Sequence, residues 1–341
     1  MNYRRSLSGT VRQVVVLRFC GALLFCSLCL PAAAEDSPLV SFVGEPGRIA
    51  VFAGDQRLAT YVYEDKDILR PYFCAVHALD GTPITRTHPP VEGVDPADHA
   101  TYHPGLWLAF GDISGADFWR NKAHVKHEKI IKEPLGQPGS GVFAVQNAYR
   151  TEDGKVICRE TCRYTFLVRP SQFVNTRQTV GWFLLHESEF TSDAGEIVFG
   201  DQEEMGLGVR VATPLTVKNG GRIVNSDGLV NEERAWGKQA DWCEYSGAIN
   251  GRRAGVTLMP HPGNFGRSWF HARDYGLLVA NPFGRNAFTE GDKSAVRIAP
   301  GQKLRLRFGA FIFSTAAAND ARTAAAYDEY LRLAEDQARL P

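Results

Sequence analysis

The sequence predicts an all-β protein, a large β-sandwich with one C-terminal α-helix, and the mutarotase-like super-sandwich is its candidate form. Three observations predict it. Many short runs of β-branched and aromatic residues are punctuated by Gly, Pro, Asn and Asp. Strands and helices hardly alternate, so a parallel βαβ architecture is disfavoured. Helical periodicity is convincing only at the end of the chain.

The first 34 residues are set apart. Arg4, Arg5, Arg12 and Arg18 precede an apolar run, Phe19 to Leu30, and small residues Pro31 to Ala34 follow. This is the pattern of a secretory signal peptide. At about 12 residues the run is shorter than the roughly 20 a spanning helix needs. The expected product is an exported chain of residues 35–341, periplasmic or extracellular, folded as a single β-sandwich domain with no membrane span. The whole chain balances 38 basic against 38 acidic residues. Losing four arginines and no acids leaves 34 against 38, a net charge of −4, which argues against nucleic acid as a partner. Cys74, Cys158, Cys162 and Cys243 remain after cleavage. If Cys158 and Cys162 share a strand they lie about 13 Å apart, too far to bridge without a bend, so no disulfide is assigned.

In chain order, the expected strands begin at Leu39 to Val43, Arg48 to Ala53 and Leu58 to Tyr63, then Pro71 to Ala78 before the Asp80-Gly81 turn. Residues 85 to 97 form a polar, proline-bearing loop of the length that tends to be functional. Long antiparallel strands are expected at Gly141 to Val145, Val156 to Val168 and Phe173 to Leu185. Shorter ones follow at Met205 to Val211, Gly221 to Val224, Trp242 to Ile249, Arg252 to Met259, Gly276 to Ala280, Ser294 to Ile298 and Leu304 to Phe313. The terminal helix is capped by Asn319 or Asp320, and Ala324, Tyr327, Leu331, Ala334 and Ala338 recur at helical spacing.

Two clusters carry the chemistry. Asp98 to Arg120 combines two histidines, three aspartates, an arginine and two tryptophans, a mixture poor for a core and good for a site. His99 and His103 are spaced for one face of a helix, but Pro96, Pro104 and Gly105 oppose a helix there. Acid/base chemistry, a metal site with a third ligand elsewhere, and plain loop-fixing hydrogen bonds all remain open for them. Asp112, Asp117, Trp119 and Arg120 suit a sugar, because carboxylates accept hydroxyl hydrogen bonds and an indole stacks on a ring face. The bland reading of Asp112 is a turn former, and of Trp119 a core filler. Among the acids from Glu187 to Glu204, Glu204 is the candidate base or acid because it leads straight into a strand.

The second cluster holds His261, Asn264, Trp269, His271, Arg273 and Asn281. Alternation on a strand would send Trp269, His271 and Arg273 to one face, a plausible grip on a polar ligand. An amphipathic edge strand is the competing reading. His124 and His127 belong to a solvated, alternating charge pattern.

His103-Pro104-Gly105-Leu106-Trp107, Gly111 to Trp119, Glu204 to Arg210 and Trp269 to Gly284, in that order, resemble the bacterial family labelled "methane oxygenase PmoA-like". The resemblance implies exported β proteins, largely of unassigned function, from bacteria rich in polysaccharide-degrading systems. The family label itself implies metal-dependent oxidation. The functional expectation is a carbohydrate-active hydrolase, lyase or epimerase. His99, His103, His271 and Glu204 are its catalytic candidates; Asp112, Asp117, Trp119, Arg120, His261, Asn264, Trp269, Arg273 and Asn281 are its binding candidates. A non-catalytic glycan-binding protein and a metal-dependent oxidoreductase are the alternatives. The ligand expected is a small molecule or glycan, and the sequence names no cofactor.

Overall fold

The computed structural model describes residues 37–169, 180–192, 195–316 and 323–339. The leader-like segment and the helix-capping candidates Asn319 and Asp320 lie outside them, as do residues 173–179 of one expected strand. All the described residues belong to one compact unit, Ala34–Pro341.

Two antiparallel sheets carry the fold, with strands numbered in chain order. The nine-stranded sheet runs β1 (Val40–Glu45), β2 (Arg48–Ala53), β3 (Gln56–Val62), β4 (Tyr72–Cys74), β5 (Leu106–Phe110), β11 (Met205–Arg210), β17 (Leu277–Asn281), β16 (Trp269–Ala272) and β13 (Lys238–Gln239). The eight-stranded sheet runs β12 (Arg222–Asn225), β14 (Cys243–Ile249), β15 (Arg252–Pro260), β19 (Lys303–Ala316), β9 (Val180–Thr191), β8 (Val156–Arg169), β7 (Ser140–Arg150) and β6 (His124–Gln137). A small ribbon pairs β10 (Ile197–Phe199) with β18 (Val296–Ile298).

The large sheets face each other. Tyr61 of β3 packs 5.3 Å from Phe143 of β7 and 5.0 Å from Tyr164 of β8. Phe110 of β5 meets Phe190 of β9 edge to face at 5.5 Å. Aromatic pairs of this kind add to the area they bury, and they close one apolar core between the sheets. The all-β sandwich expected from the sequence is therefore the observed architecture.

Differences from expectation are local. The stretch from His124, read only as a solvated, alternating charge pattern, is a 14-residue edge strand with an irregular register against β7. Pro71 to Ala78 supplies only a three-residue strand. Two short helices, α1 (Glu232–Ala235) and α2 (Arg285–Thr289), were not expected. The terminal helix α3 spans Thr323–Arg339 and buries Ala326, Tyr330 and Ala334 rather than Ala324. Cys74, Cys158, Cys162 and Cys243, the cysteines among the described residues, are free thiols. No helix among the described residues is long and apolar enough to cross a membrane.

Each sheet also has an outer face. On the eight-stranded sheet, α3 covers Phe183, Leu185, Met259, Phe311 and Phe313. Strands β5, β11 and β17 at the middle of the nine-stranded sheet are buried throughout. Leu108, Leu207 and Leu278 point into the sandwich, while Trp107, Ala109, Leu277 and Val279 form a second apolar layer outside. Gly208 is the reason two indoles fit there: a Cβ on it would stand 2.9 Å from the Trp107 ring and 3.2 Å from Trp119. The loop carrying His99 and His103 and the indole of Trp119 cover this outer layer.

Candidate functional site

The 98–105 loop is fastened from below by three buried arginines. Arg210, on the outer face of β11, donates both terminal nitrogens to Asp98, at 2.8 and 2.9 Å. Arg86 donates to the carbonyls of Pro96 and Asp98, each at 2.8 Å, and of His103 at 3.2 Å. Arg70 donates to the carbonyls of Trp119 at 2.8 Å and of Tyr102. A loop lacks the internal backbone pairing of a helix or sheet, and a guanidinium with five donors can satisfy several of its carbonyls at once. Partial burial raises the Asp98 carboxyl. The bonds from Arg210 and His99 and the charges of Arg210 and Arg86 outweigh it and hold Asp98 well below the usual carboxylate range.

The two loop histidines have different lives. His99 has a left-handed backbone (φ 52°), is partly exposed, and sets Nδ1 3.0 Å from the Asp98 carboxylate. Strained backbone at a non-glycine residue is tolerated where surroundings impose it. His103 is buried, with neither ring nitrogen hydrogen-bonded. It sits inside a column of rings: Tyr275 stacks on His99 at 5.9 Å, His99 on His103 at 4.8 Å, and His103 on Trp107 at 5.2 Å. Near-parallel stacking (19° between the imidazoles) keeps their in-plane nitrogen lone pairs from converging on one ion. Burial, then the neighbouring charges of His99, Arg210, Arg70 and Arg86, pushes His103 well below the ordinary imidazole value. His103 is ring packing; His99 is the histidine with a carboxylate partner and solvent access.

On β16, Trp269 and His271 share the outer face while Phe270 and Ala272 enter the core. Arg273 lies just beyond the strand. Its Nε donates to His271 Nε2 at 2.9 Å, so the imidazole proton sits on Nδ1, 3.3 Å from the Glu203 carbonyl. The remaining guanidinium nitrogens reach Glu203 and Glu232, each at 3.3 Å, over the Trp236 ring. Burial, then the charge of Arg273, pushes His271 down to about 3. It is a fixed neutral acceptor, poorly suited to donate a proton near neutrality.

Asp112, Asp117 and Arg120 line an open cleft of about 690 Å³ together with Lys122, Glu152 and Gln202. Asp112 accepts from the Gly115 amide at 2.9 Å, and Asp117 from the amides of Trp119 and Arg120, each at 3.0 Å. Both are thus turn formers and cleft walls at once. Arg120 reaches Asp117 at 3.1 Å, Gln202 at 3.4 Å, and pairs with Glu204. Trp119 is fully buried, edge-on to Trp107 at 5.3 Å, and is core filler rather than a sugar platform. Asn281, completely buried, donates to the carbonyls of Gln202 at 2.7 Å and Glu203 at 3.1 Å, and so holds the cleft wall without lining it.

His261 and Asn264 belong elsewhere. They follow β15 in the opposite sheet, where Asn264 pairs with the Arg307 backbone at 2.8 and 3.0 Å and His261 meets the Tyr330 ring of α3 at 6.0 Å. The expectation that they join the ligand site is corrected: in the chain they stand close to Trp269, in space they stand under the helix.

Lys122, Glu152 and Gln202 were missed as cleft residues. Gln202 adjoins Glu204 in the acidic run, and Lys122 adjoins the cluster ending at Arg120, but only the fold brings Glu152 from the β7–β8 turn to them. Asp201 in the same run caps α2, accepting from the amides of Asn286 at 2.8 Å and Ala287 at 3.0 Å. Glu187 and Glu189 pair across strands with Arg305 at 3.0 Å and Lys303 at 2.6 Å.

A family model matches residues 48–328, which contains both sheets' central strands and every candidate site residue. The chain belongs to DUF6807, a family of unknown function. The resemblance to the PmoA-like family is thereby corrected: the matching model is DUF6807, whose description names no activity. No curated protein matches this DUF6807 chain. Among solved structures it is similar to a putative kojibiose phosphorylase from human microbiome, at 9% identity and a TM-score of 0.36. That alignment covers 85% of the DUF6807 chain and 33% of the other, so this chain spans about a third of that protein's length.

Proposed function

We propose that the protein is exported and takes a sugar or sugar-acid ligand in the cleft of Asp112, Asp117, Arg120, Lys122, Glu152 and Gln202. The observation that carries this reading is the composition of the cleft. Its walls present carboxylates, an amide and two cations around a volume of about 690 Å³, within the range of small-molecule sites. Carboxylates and the Gln202 amide match hydroxyl groups, while Arg120 and Lys122 match a carboxylate on the ligand. Export rests on the leader-like N-terminus.

Turnover is the second reading, and one arrangement favours it. Asp98 is held ionised beside His99, the orientation by which a carboxylate supports an imidazole acting as acid or base. Of the other groups expected to share that work, His103 and His271 are buried and held neutral and Glu204 is taken up by Arg120, which leaves His99, on a loop outside the cleft's lining, as the acid/base candidate.

The test is a panel of neutral sugars and uronic acids scored by calorimetric binding and by product formation. Binding of acids that falls at least tenfold in Arg120→Ala supports the cleft. Absence of binding across the panel, or affinity unchanged in Arg120→Ala, overturns it. Turnover abolished by His99→Ala with binding retained supports the second reading; turnover that survives His99→Ala excludes His99 from the chemistry.

A further inference from the structure

The core between the sheets contains a polar cluster that the cleft does not use. Glu160 and Cys162 lie on β8, His186 and Ser188 on β9, with Cys162 paired to Ser188 and Tyr164 to His186. All four side chains are buried. Residues 160 and 162 share a strand face, as do 186 and 188, with the core residues Tyr164 and Leu184. A carboxylate oxygen, a thiol sulfur and an imidazole nitrogen come within 4.8 Å of one another.

Glu160 is well supplied with donors: Ser188 at 2.5 Å, Asn147 at 3.0 Å and Tyr149 at 3.4 Å. His186 is not, because neither of its ring nitrogens has a hydrogen-bond partner. A neutral imidazole carries one N–H and one lone pair, and burying both unpaired is costly. His103 is unpaired in the same way, but only His186 has a carboxylate and a thiol converging on it, and that convergence of three ligand types calls for a partner.

We propose that Glu160, Cys162 and His186 bind one divalent zinc-type metal ion that ties β8 to β9 inside the sandwich. Charge favours it: a thiolate, a carboxylate and a neutral imidazole around a dication leave no net charge in the core. Ligand chemistry favours it too, since a mixed N, S and O set suits zinc. Zinc bonds of about 2.0–2.3 Å in a tetrahedron place ligand atoms roughly 3.5 Å apart, so atoms within 4.8 Å of one another need to close by at most about 1.3 Å on binding. Ser188, bonded to Glu160 and 3.6 Å from the Cys162 sulfur, or a water, completes the coordination. Asn147 and Tyr149 already orient the carboxylate as outer partners of metal ligands do. With its ligands buried, the metal enters during folding and its binding energy becomes folding energy.

The experiment refolds the full chain with Zn²⁺, with Co²⁺ or with a chelator. Expected are one metal per chain, a melting temperature several degrees lower for the chelator-refolded chain, and a thiolate-to-cobalt charge-transfer band that Cys158→Ser keeps and Cys162→Ser loses. Substoichiometric metal with identical melting curves overturns the proposal, as does a cobalt band that survives Cys162→Ser. Should Cys162→Ser fail to fold, the wild-type stoichiometry and cobalt band decide: their presence supports the site and their absence overturns it.

Discussion

The two outer faces of the sandwich are covered in opposite ways. The eight-stranded sheet is covered by α3, whose Tyr330 rests on Gly309 where a Cβ would stand 2.6 Å from its ring. The nine-stranded sheet is covered by loops anchored through Arg70, Arg86 and Arg210. A helix pairs its own backbone, so an apolar face is enough to seat it. A loop brings unpaired carbonyls, so its cover needs buried donors. The difference teaches why charged side chains are buried under the loop-covered face: a loop needs donors for carbonyls that a helix satisfies by itself.

The largest expected effect breaks the loop cover. Arg210→Ala strips Asp98 of its bidentate partner and leaves a partly buried carboxylate without it. A destabilisation of about 3 kcal/mol is expected in urea melts from the loss of two charge-assisted hydrogen bonds, with Arg86 left at 3.6 Å from the partly exposed Asp98; a change below about 1 kcal/mol would show that arginine is not what holds the loop. Tyr330→Ala attacks the helical cover instead. It should cost about 3 kcal/mol yet leave sugar affinity unchanged by calorimetry, because no residue of α3 lines the cleft. Arg120→Ala sharpens the contrast from the other side. Affinity for an acidic sugar should fall about tenfold, roughly 1.4 kcal/mol, while the melting temperature moves little, since its pairs are partly exposed.

Acidification gives the smallest effect. His271 is pushed down to about 3 in the fold, whereas an unfolded histidine titrates near 6.5. Between those values the unfolded chain binds a proton that the folded chain does not, so stability is lost as pH falls below about 6.5. Arg273 and the Glu203 carboxylate are the charged groups facing the ring. A melting temperature that declines from pH 7 to pH 5, and declines less in His271→Gln, is expected. Equal declines in both proteins would place the acid sensitivity elsewhere, for instance at His261, which burial and then Arg307 push down to about 4.

Much of the fold was legible residue by residue. β8 was read as Val156 to Val168, one residue short of its end, and the limits of Arg48 to Ala53 were read to the residue. The irregular pairing of β6 hid that strand, because each register shift breaks the two-residue period. Site residues were legible by type more than by role. Asp112, Asp117 and Arg120 do meet at a cleft, but Trp119 and Asn281 support its walls, and His261 and Asn264 belong to the other sheet.

Local pattern therefore determined the strands, the terminal helix and the stretches rich in chemistry, because periodicity, turn residues and composition act over a few neighbours. Burial and partners were decided only by tertiary structure. His99 and His103 are four residues apart, yet one faces solvent beside Asp98 and the other is stacked on Trp107 under three arginines drawn from residues 70, 86 and 210. Glu160, Cys162 and His186 likewise converge only because β8 pairs with β9. A side chain's chemistry is set by what surrounds it, and its surroundings here come from distant strands.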